Sequence, residues 1–267
     1  MEHATRHLIY ARFWHKFLYD IGVVSKSEPF KKLYGVGLVL AEDGRKMSKR
    51  WGNVVNPDDV IDEYGADAFR TYEMFMGPFE NEVARSTAGV KGVKKFLDKI
   101  VKITERIDLK HQDNKSILSL LHKTIKKVTE DIENCRFNTA VSQLMILVNA
   151  LMDEDVISKH TIQILSIILS PFAPHLAETM RESIGNTFSI FTKATRPIYD
   201  EKLLQDETIK IAVQINGKVR GTIKISPTAT QNDVMDIVVQ DPVLTKRLTS
   251  EPKKIIYIQG KIVNIIL

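Results

Sequence analysis

The sequence has very little cysteine and no long apolar run. Cys135 is the only cysteine among 267 residues, which excludes an internal disulfide and a cysteine-rich zinc site. No apolar stretch reaches the roughly 18 residues that a membrane-spanning helix requires. The opening MEHATRHLIYARFWHK mixes charges and histidines into its apolar pattern, unlike a signal peptide. These absences predict a cytoplasmic globular protein with no membrane partner, and 43% hydrophobic residues suffice for well-packed cores.

Acidic residues are scarce at the C-terminal end. After residue 209 there are nine Lys and Arg but only four Asp and Glu, an excess equal to the net charge of +5 of the whole chain. A basic excess confined to one small region indicates a polyanionic partner. A solubilising surface is an equally good interpretation of the charge alone.

The apolar pattern predicts a mainly helical chain. An amphipathic helix is expected at 3–20, and a short buried strand at 35–41 is followed by a turn at EDG. Asn56 is placed to cap a helix that ends near Gly65, and Asp67 to cap the next one.

Beyond that point the periodicity changes once. Four helices with short joins are expected between Gly89 and Ile184, which is typical of a helical bundle. After a connector, alternating residues predict hairpins at Asn216-Gly217 and at Gln259-Gly260, on either side of a helix capped by Thr230. This last region is expected to be a small α+β domain.

The densest cluster of positive charge is the segment EDGRKMSKRWGN. It places Arg45, Lys46, Lys49 and Arg50 within six positions, between a turn and a helix start. A flexible loop with two ammonium groups can close over a phosphate chain and neutralise charge on a departing phosphate. The GxxxxGK[ST] spacing of a P-loop is absent. An exposed basic turn without function is the alternative interpretation of the charges by themselves.

The residues KMSKRWGN resemble the KMSKS signature loop of class I aminoacyl-tRNA synthetases. Further segments resemble the bacterial type of the leucyl-tRNA synthetase family, and they follow one another in the family's order over essentially the whole chain. By this resemblance the chain is identified as a C-terminal part of a member of that family. The segments are EHATRHLIYARFWHKFLYDIG, NVVNPDDVIDEYGADAFRTYEMFMGP, RFNTAVSQLM, PFAPHLAE, VQINGKVRG and IIYIQGKIVNIIL.

The resemblance implies a leucine–tRNA ligase, which uses ATP, with Mg²⁺ accompanying it, to form leucyl-adenylate and then transfers leucine to tRNA(Leu). Lys49 matches the signature lysine that contacts the triphosphate and stabilises the departing pyrophosphate. Lys46 matches the supporting lysine, and Met47 and Ser48 belong to the same ATP-binding loop. The chain departs from the family pattern at Arg50, where serine is usual, and at Trp51, where lysine is common.

Three residues near the start are implied to line the same active site. Glu2 would bond the adenosine ribose, while His3 and His7 would shape the leucine pocket. The two histidines are four residues apart on one helix face, but the HExxH order is absent and no third ligand is evident. No zinc or other metal site is therefore predicted, and ordinary surface histidines are the alternative.

The resemblance also divides the chain and assigns its basic end. Residues 1–80 would be the C-terminal remainder of a nucleotide-binding (Rossmann-like) catalytic domain, 81–186 an anticodon-binding type of helical bundle, 187–207 a connector and 208–267 a tRNA-binding domain. The residues expected to contact tRNA phosphates are Lys218, Arg220, Lys224, Lys253 and Lys254.

Several parts of a complete synthetase are missing from the sequence. There is no HIGH-type segment, editing domain or zinc module, and Met1 is expected to be an internal methionine or the start of one half of a split enzyme. The chain is expected to need an N-terminal half and to be inactive alone. A non-enzymatic tRNA-binding module with a remnant loop is the main alternative. A generic helical interaction protein would not explain the ordered motifs.

Overall fold

A computed structural model describes residues 4–204, 209–226, 228–248, 250 and 252–267. The chain forms two compact units. The first consists of Met1–Gln112 and Thr124–Ile198, and the second of Asp113–Lys123 and Tyr199–Leu267.

The first unit starts with the predicted amphipathic helix. A wide π-type turn at Ala4–Leu8 leads into α1 (Ile9–Asp20), so the helix is confirmed over its described residues. No side chain of α1 is buried, and Phe13 and Trp14 are 69% and 61% exposed. The helix therefore presents an apolar surface that the described residues leave uncovered.

Two very short parallel strands follow. β1 (Val39–Leu40) pairs with β2 (Val83–Ala84), with Val39 opposite Val83. The prediction of a buried strand over 35–41 is wrong in extent and in burial, because Val36 is 67% exposed. Among the described residues, β2 is the only strand beside β1, so the preceding residues have no ladder to join.

In the sequence, helices α2 (Pro57–Tyr64) and α3 (Ala66–Phe75) come between these two strands. The Asn56 cap is confirmed, since its Oδ1 accepts a hydrogen bond from the backbone N–H of Asp58 at 3.2 Å. The Asp67 cap is wrong: Gly65 occupies the N-cap position of α3 with φ of 90°, and Asp67 lies inside the first turn. Its carboxylate is thereby free to cap a different helix.

The region that was predicted to be helical contains five helices between residues 87 and 183, all of which are described, rather than four. They are α4 (Thr87–Thr104), α5 (Lys115–Glu133), α6 (Phe137–Met152), α7 (Lys159–Leu169) and α8 (Pro174–Ser183). The last predicted helix is split because Pro171 and Pro174 lack backbone N–H donors and interrupt the helical ladder. A parallel pair, β3 (Ile107–Asp108) and β4 (Ile157–Ser158), joins the ends of α4 and α6.

Helix α3 joins α2 to the later helices α4 and α8. Tyr72 packs with Val60, Val90 and Val93 in one buried cluster. The Asp67 carboxylate accepts hydrogen bonds from the N–H of Leu176 at 2.7 Å and from Nδ1 of His175 at 2.9 Å, at the start of α8. Residues far apart in sequence thus hold the first unit together.

The connector contains two short helical pieces, α9 (Ile190–Lys193) and a 3-10 turn at Glu201–Leu204. Residues 205–207 of the predicted connector lie outside the described residues.

The second unit contains a four-stranded sheet in the order β6-β5-β8-β7. Both hairpins are confirmed, with Asn216 and Gly217 at positive φ of 50° and 76° and Gly260 at 69°. The parallel pairing of β5 with β8 is an addition to the predicted pattern. The strands are β5 (Ile209–Ile215), β6 (Lys218–Ile225), β7 (Lys254–Ile258) and β8 (Ile262–Ile266).

Among the described residues, two helices of this unit lie between β6 and β7 in the sequence. In α10 (Gln231–Gln240) the Thr230 side chain accepts from the N–H of Asp233, whose carboxylate accepts from the N–H of Thr230 in return. This capping box confirms the predicted helix start. A short α11 (Pro242–Thr245) follows, and the core includes Val213, Val234 and Val263.

Replacing Asp67 with alanine is expected to lower the free energy of unfolding by about 1 kcal/mol, because the start of α8 loses its side-chain acceptor. Urea denaturation followed by circular dichroism measures this change. Asp98→Ala is the matched control, since Asp98 forms an exposed ion pair with Lys94 at 2.8 Å and should matter less. Equal effects of the two substitutions would contradict the assigned cap.

Candidate functional site

The candidate site is the loop that leaves the carboxyl end of β1. Because β1 and β2 are parallel, the loop after Leu40 and the start of α4 after Ala84 emerge at the same edge. The loop begins with a tight turn, in which the N–H of Gly44 donates to the carbonyl of Ala41 at 2.9 Å. An isolated bridge between Leu40 and Lys46 closes the turn.

Residues 46–53, which contain the KMSKS-like segment, are called the signature loop. The side chain of Asn53 holds the backbone of this loop. Its Oδ1 accepts a hydrogen bond from the N–H of Ser48 at 2.9 Å, and its Nδ2 donates to the carbonyl of Lys46 at 3.4 Å. Residues Lys49–Trp51 form a 3-10 turn that ends at Gly52, where φ is 63°. Sequence reasoning missed Asn53, although asparagine side chains commonly hydrogen-bond to neighbouring backbone groups in turns.

The two signature lysines project from this frame. Lys46 and Lys49 are exposed, whereas Met47 and Ser48 are half-buried. The Lys49 ammonium has no ion-pair partner in the part of the chain that the structure describes. An exposed ammonium without a counter-charge, on a turn whose backbone is fixed, is suited to binding an anionic group.

Arg50 and Trp51 interact within the loop. The guanidinium carbons of Arg45 and Arg50 lie 5.0 and 5.3 Å from the centre of the Trp51 ring. Arg45 also donates to the Asp43 carboxylate at 2.6 Å, which holds the pKa of that carboxyl below its ordinary value of 3.8. Trp51 is 54% exposed, so each cation–π contact contributes about 0.5–1 kcal/mol.

Glu42 connects the base of the loop to α4. Its Oε1 accepts hydrogen bonds from both the N–H and the Oγ1 of Thr87, each at 2.7 Å. These bonds from Thr87 lower the pKa of Glu42 from its ordinary value of 4.5. Because the folded pKa is lowered, the interaction is fully formed above pH 4.5 and weakens only as pH falls through the lower folded value.

The residues expected to line the leucine and ribose pockets are described only in part. His7 is exposed within the Ala4–Leu8 turn. Glu2 and His3 lie outside the described residues.

The five residues expected to contact tRNA phosphates occupy opposite edges of the sheet. Lys218, Arg220 and Lys224 lie on β6, whereas Lys254 lies on β7 and Lys253 directly precedes it. The two edge strands are separated by three strand spacings, or about 14 Å. The five cations therefore form two groups rather than one patch. All five are exposed.

Within the described residues, no helix is both long and apolar enough to cross a membrane. The same residues contain no group of three or more His, Cys, Asp or Glu side chains that could hold a metal ion.

Comparison with known protein families gives two matches along the chain. Residues 9–85 match the model of class I tRNA synthetases (I, L, M and V), and residues 114–235 match that of the anticodon-binding domain of tRNA ligases. A leucine–tRNA ligase of Alkaliphilus oremlandii is 45% identical over 100% of this chain. The chain belongs to the leucine–tRNA ligase family.

Other members of the family agree with this assignment. Leucine–tRNA ligases of Chlorobaculum parvum and Chlorobaculum tepidum are 44% and 43% identical over 98% of the chain. The chain spans about a third, 33%, of the length of these relatives, and it matches their C-terminal part.

A solved structure of a leucyl-tRNA synthetase is similar to the whole chain. It is the ternary complex of Agrobacterium radiobacter K84 agnB2 LeuRS with tRNA and LeuAMS. The TM-score is 0.70 at 31% identity, over 99% of this chain and 37% of that one.

Substituting Asn53 with alanine is expected to release the signature loop, because the N–H of Ser48 loses its acceptor. A hydrogen bond of about 1 kcal/mol corresponds to a roughly fivefold faster amide exchange at Ser48, which NMR can follow. Asn53→Asp is the matched control, since it keeps an acceptor for Ser48 but cannot donate to Lys46. Unchanged exchange at Ser48 in Asn53→Ala would refute this bracing role.

Proposed function

We propose that this chain is the C-terminal portion of a leucine–tRNA ligase and that it contributes the ATP-facing loop to leucine activation. The observation that carries the proposal is the exposed Lys49, which has no ion-pair partner among the described residues, on a loop fixed at the carboxyl edge of β1 and β2. In parallel α/β folds, ligands bind beyond the carboxyl ends of the strands.

The proposed chemistry is nucleotidyl transfer. The leucine carboxylate attacks the α-phosphorus of ATP, a new oxygen–phosphorus bond forms, and the bond to pyrophosphate breaks. Negative charge accumulates on the departing pyrophosphate, and the Lys49 ammonium stabilises it, with Lys46 as the supporting cation. Met47 and Ser48 shape the same loop. Mg²⁺ is expected to arrive bound to the ATP phosphates.

The remaining parts of the chain take their proposed roles from the family. Residues 1–80 complete a nucleotide-binding catalytic domain, in which Glu2 contacts ribose and His3 and His7 shape the leucine pocket. Residues 81–186 serve as the helical domain of anticodon-binding type. Residues 208–267 hold tRNA(Leu), and the connector 187–207 precedes them. The proposed place of action is the cytoplasm.

Completion by an N-terminal half is part of the proposal. The relatives are about three times as long as this chain, and the exposed apolar side chains of α1 offer a surface that such a half could cover. The second candidate function is a tRNA-binding module without catalysis, which the basic second unit favours.

One experiment separates these two functions. The chain is mixed with a separately expressed N-terminal half, and leucine-dependent ATP–pyrophosphate exchange is measured for each half and for the mixture. Exchange in the mixture alone supports the ligase. Binding of tRNA(Leu) without any exchange supports the module.

In the mixture, Lys49→Ala is expected to slow exchange by about 100- to 1,000-fold, because a charge-stabilising group at the leaving pyrophosphate is lost. Lys95→Ala, which removes an exposed lysine from α4, is the control and should leave the rate unchanged. A rate for Lys49→Ala within twofold of the unsubstituted chain would refute the assigned role.

Arg220→Ala is expected to weaken tRNA(Leu) binding and to reduce the slope of log affinity against log salt by about one unit, because one phosphate contact disappears. Filter binding over a range of KCl concentrations measures the slope. Arg220→Lys keeps the charge and should keep the slope. If Arg220→Ala also kept it, the residue would not be at the RNA interface.

A further inference from the structure

Glu42 stands at the point where the signature loop meets the helical region. It lies two residues after the end of β1, and Thr87 lies three residues after the end of β2. The two strands are parallel and adjacent, so both residues leave the same sheet edge. The two 2.7 Å bonds between them therefore join two chain segments that are 45 residues apart in sequence.

The backbone around Glu42 belongs to the loop itself. The N–H of Ala41 donates to the carbonyl of Arg45, and the N–H of Gly44 donates to the carbonyl of Ala41, both at 2.9 Å. Glu42 thus lies within the closed turn from which Lys46 and Lys49 extend. Any displacement of Glu42 displaces this turn and the residues that follow it.

On the other side, α4 does not depend on Glu42 for its cap. The N-cap residue is Ser86, whose side chain accepts a hydrogen bond from the N–H of Gly89 at 3.3 Å. Glu42 adds a charged acceptor for the N–H of Thr87, in the first turn of α4, where the helix dipole favours a negative charge. The helix therefore keeps its own side-chain cap at Ser86 when the bond to Glu42 is absent.

We propose that Glu42 is a positioning residue that fixes the base of the signature loop on the N-terminus of α4. The placement of Lys46 and Lys49 then depends on the helical region as well as on the loop. The consequence for catalysis rests on the proposed ligase function, whereas the structural coupling does not.

A role confined to capping α4 is the competing explanation, and the chain offers a matched control for it. Ser86→Ala removes the side-chain cap of the same helix without touching the loop. Glu42→Ala removes the link, while Glu42→Gln keeps an oxygen acceptor for Thr87. Thr87→Val removes only the hydroxyl donor, and Thr87→Ser restores it.

The first test uses hydrogen exchange of the full 267-residue chain, read by mass spectrometry on peptides that cover residues 46–53 and the first turn of α4. Glu42→Ala is expected to speed loop exchange about three- to tenfold, since two hydrogen bonds to the loop base are lost. Thr87→Val should show a smaller increase, and Glu42→Gln and Thr87→Ser should approach the unsubstituted chain. Ser86→Ala should speed exchange in α4 only.

The inference is overturned if Ser86→Ala loosens the loop as much as Glu42→Ala does, or if Glu42→Ala leaves loop exchange unchanged.

In the mixture with an N-terminal half, Glu42→Ala should lower kcat for ATP–pyrophosphate exchange several-fold with little change in KM for leucine. A mixture without any exchange activity would refute the proposed function, and the hydrogen-exchange result would still decide the role of Glu42.

Discussion

The parallel pairing of β1 and β2 is the constraint on which the placement of the cation-bearing loop depends. It involves two residues in each strand, with backbone bonds from Val83 to Leu38 at 3.1 Å and from Arg85 to Leu40 at 2.9 Å. Because the strands run in the same direction, one edge receives both the cation-bearing loop and the start of α4. A one-residue slip would turn the side chains of the slipped strand to the opposite face and would separate Glu42 from Thr87. A very small ladder thus determines the position of the whole loop.

Two acidic residues bond this part of the chain to the N-termini of later helices. Glu42 bonds the first turn of α4, and Asp67 caps α8, so two helix N-termini are held by carboxylates from the part of the chain that matches class I synthetases. Arg70 and Thr71 on α3 add bonds to the carbonyls of Pro171 and Phe172. Charge-assisted bonds to backbone groups are directional, so they fix orientation as well as distance. The base of the loop is therefore bonded to α4, and α3 is bonded to the start of α8.

Caps and turns formed by residues close in sequence could be predicted, whereas contacts between distant residues could not. The Asn56 and Thr230 caps and the Asn216-Gly217 hairpin involve residues within a few positions of one another, so composition and spacing suffice to predict them. Asp67 caps a helix more than one hundred residues away, and nothing in its own neighbourhood distinguishes that role from capping α3. The KMSKS-like residues identified the loop, but its brace is a side chain that the motif does not include.

The backbone of the loop is fixed independently of the side chains of Arg50 and Trp51. Asn53 holds the N–H of Ser48 and the carbonyl of Lys46, and neither bond involves the side chains of residues 50 and 51. Those side chains are consequently able to change while Lys49 keeps its place. The proposed activity is limited by missing contact surfaces. Among the described residues, nothing covers the exposed apolar side chains of α1, and no acidic group pairs with the Lys49 ammonium. Since the base of the loop is already ordered, complementation by an N-terminal half has to supply the opposing surface rather than fold the loop.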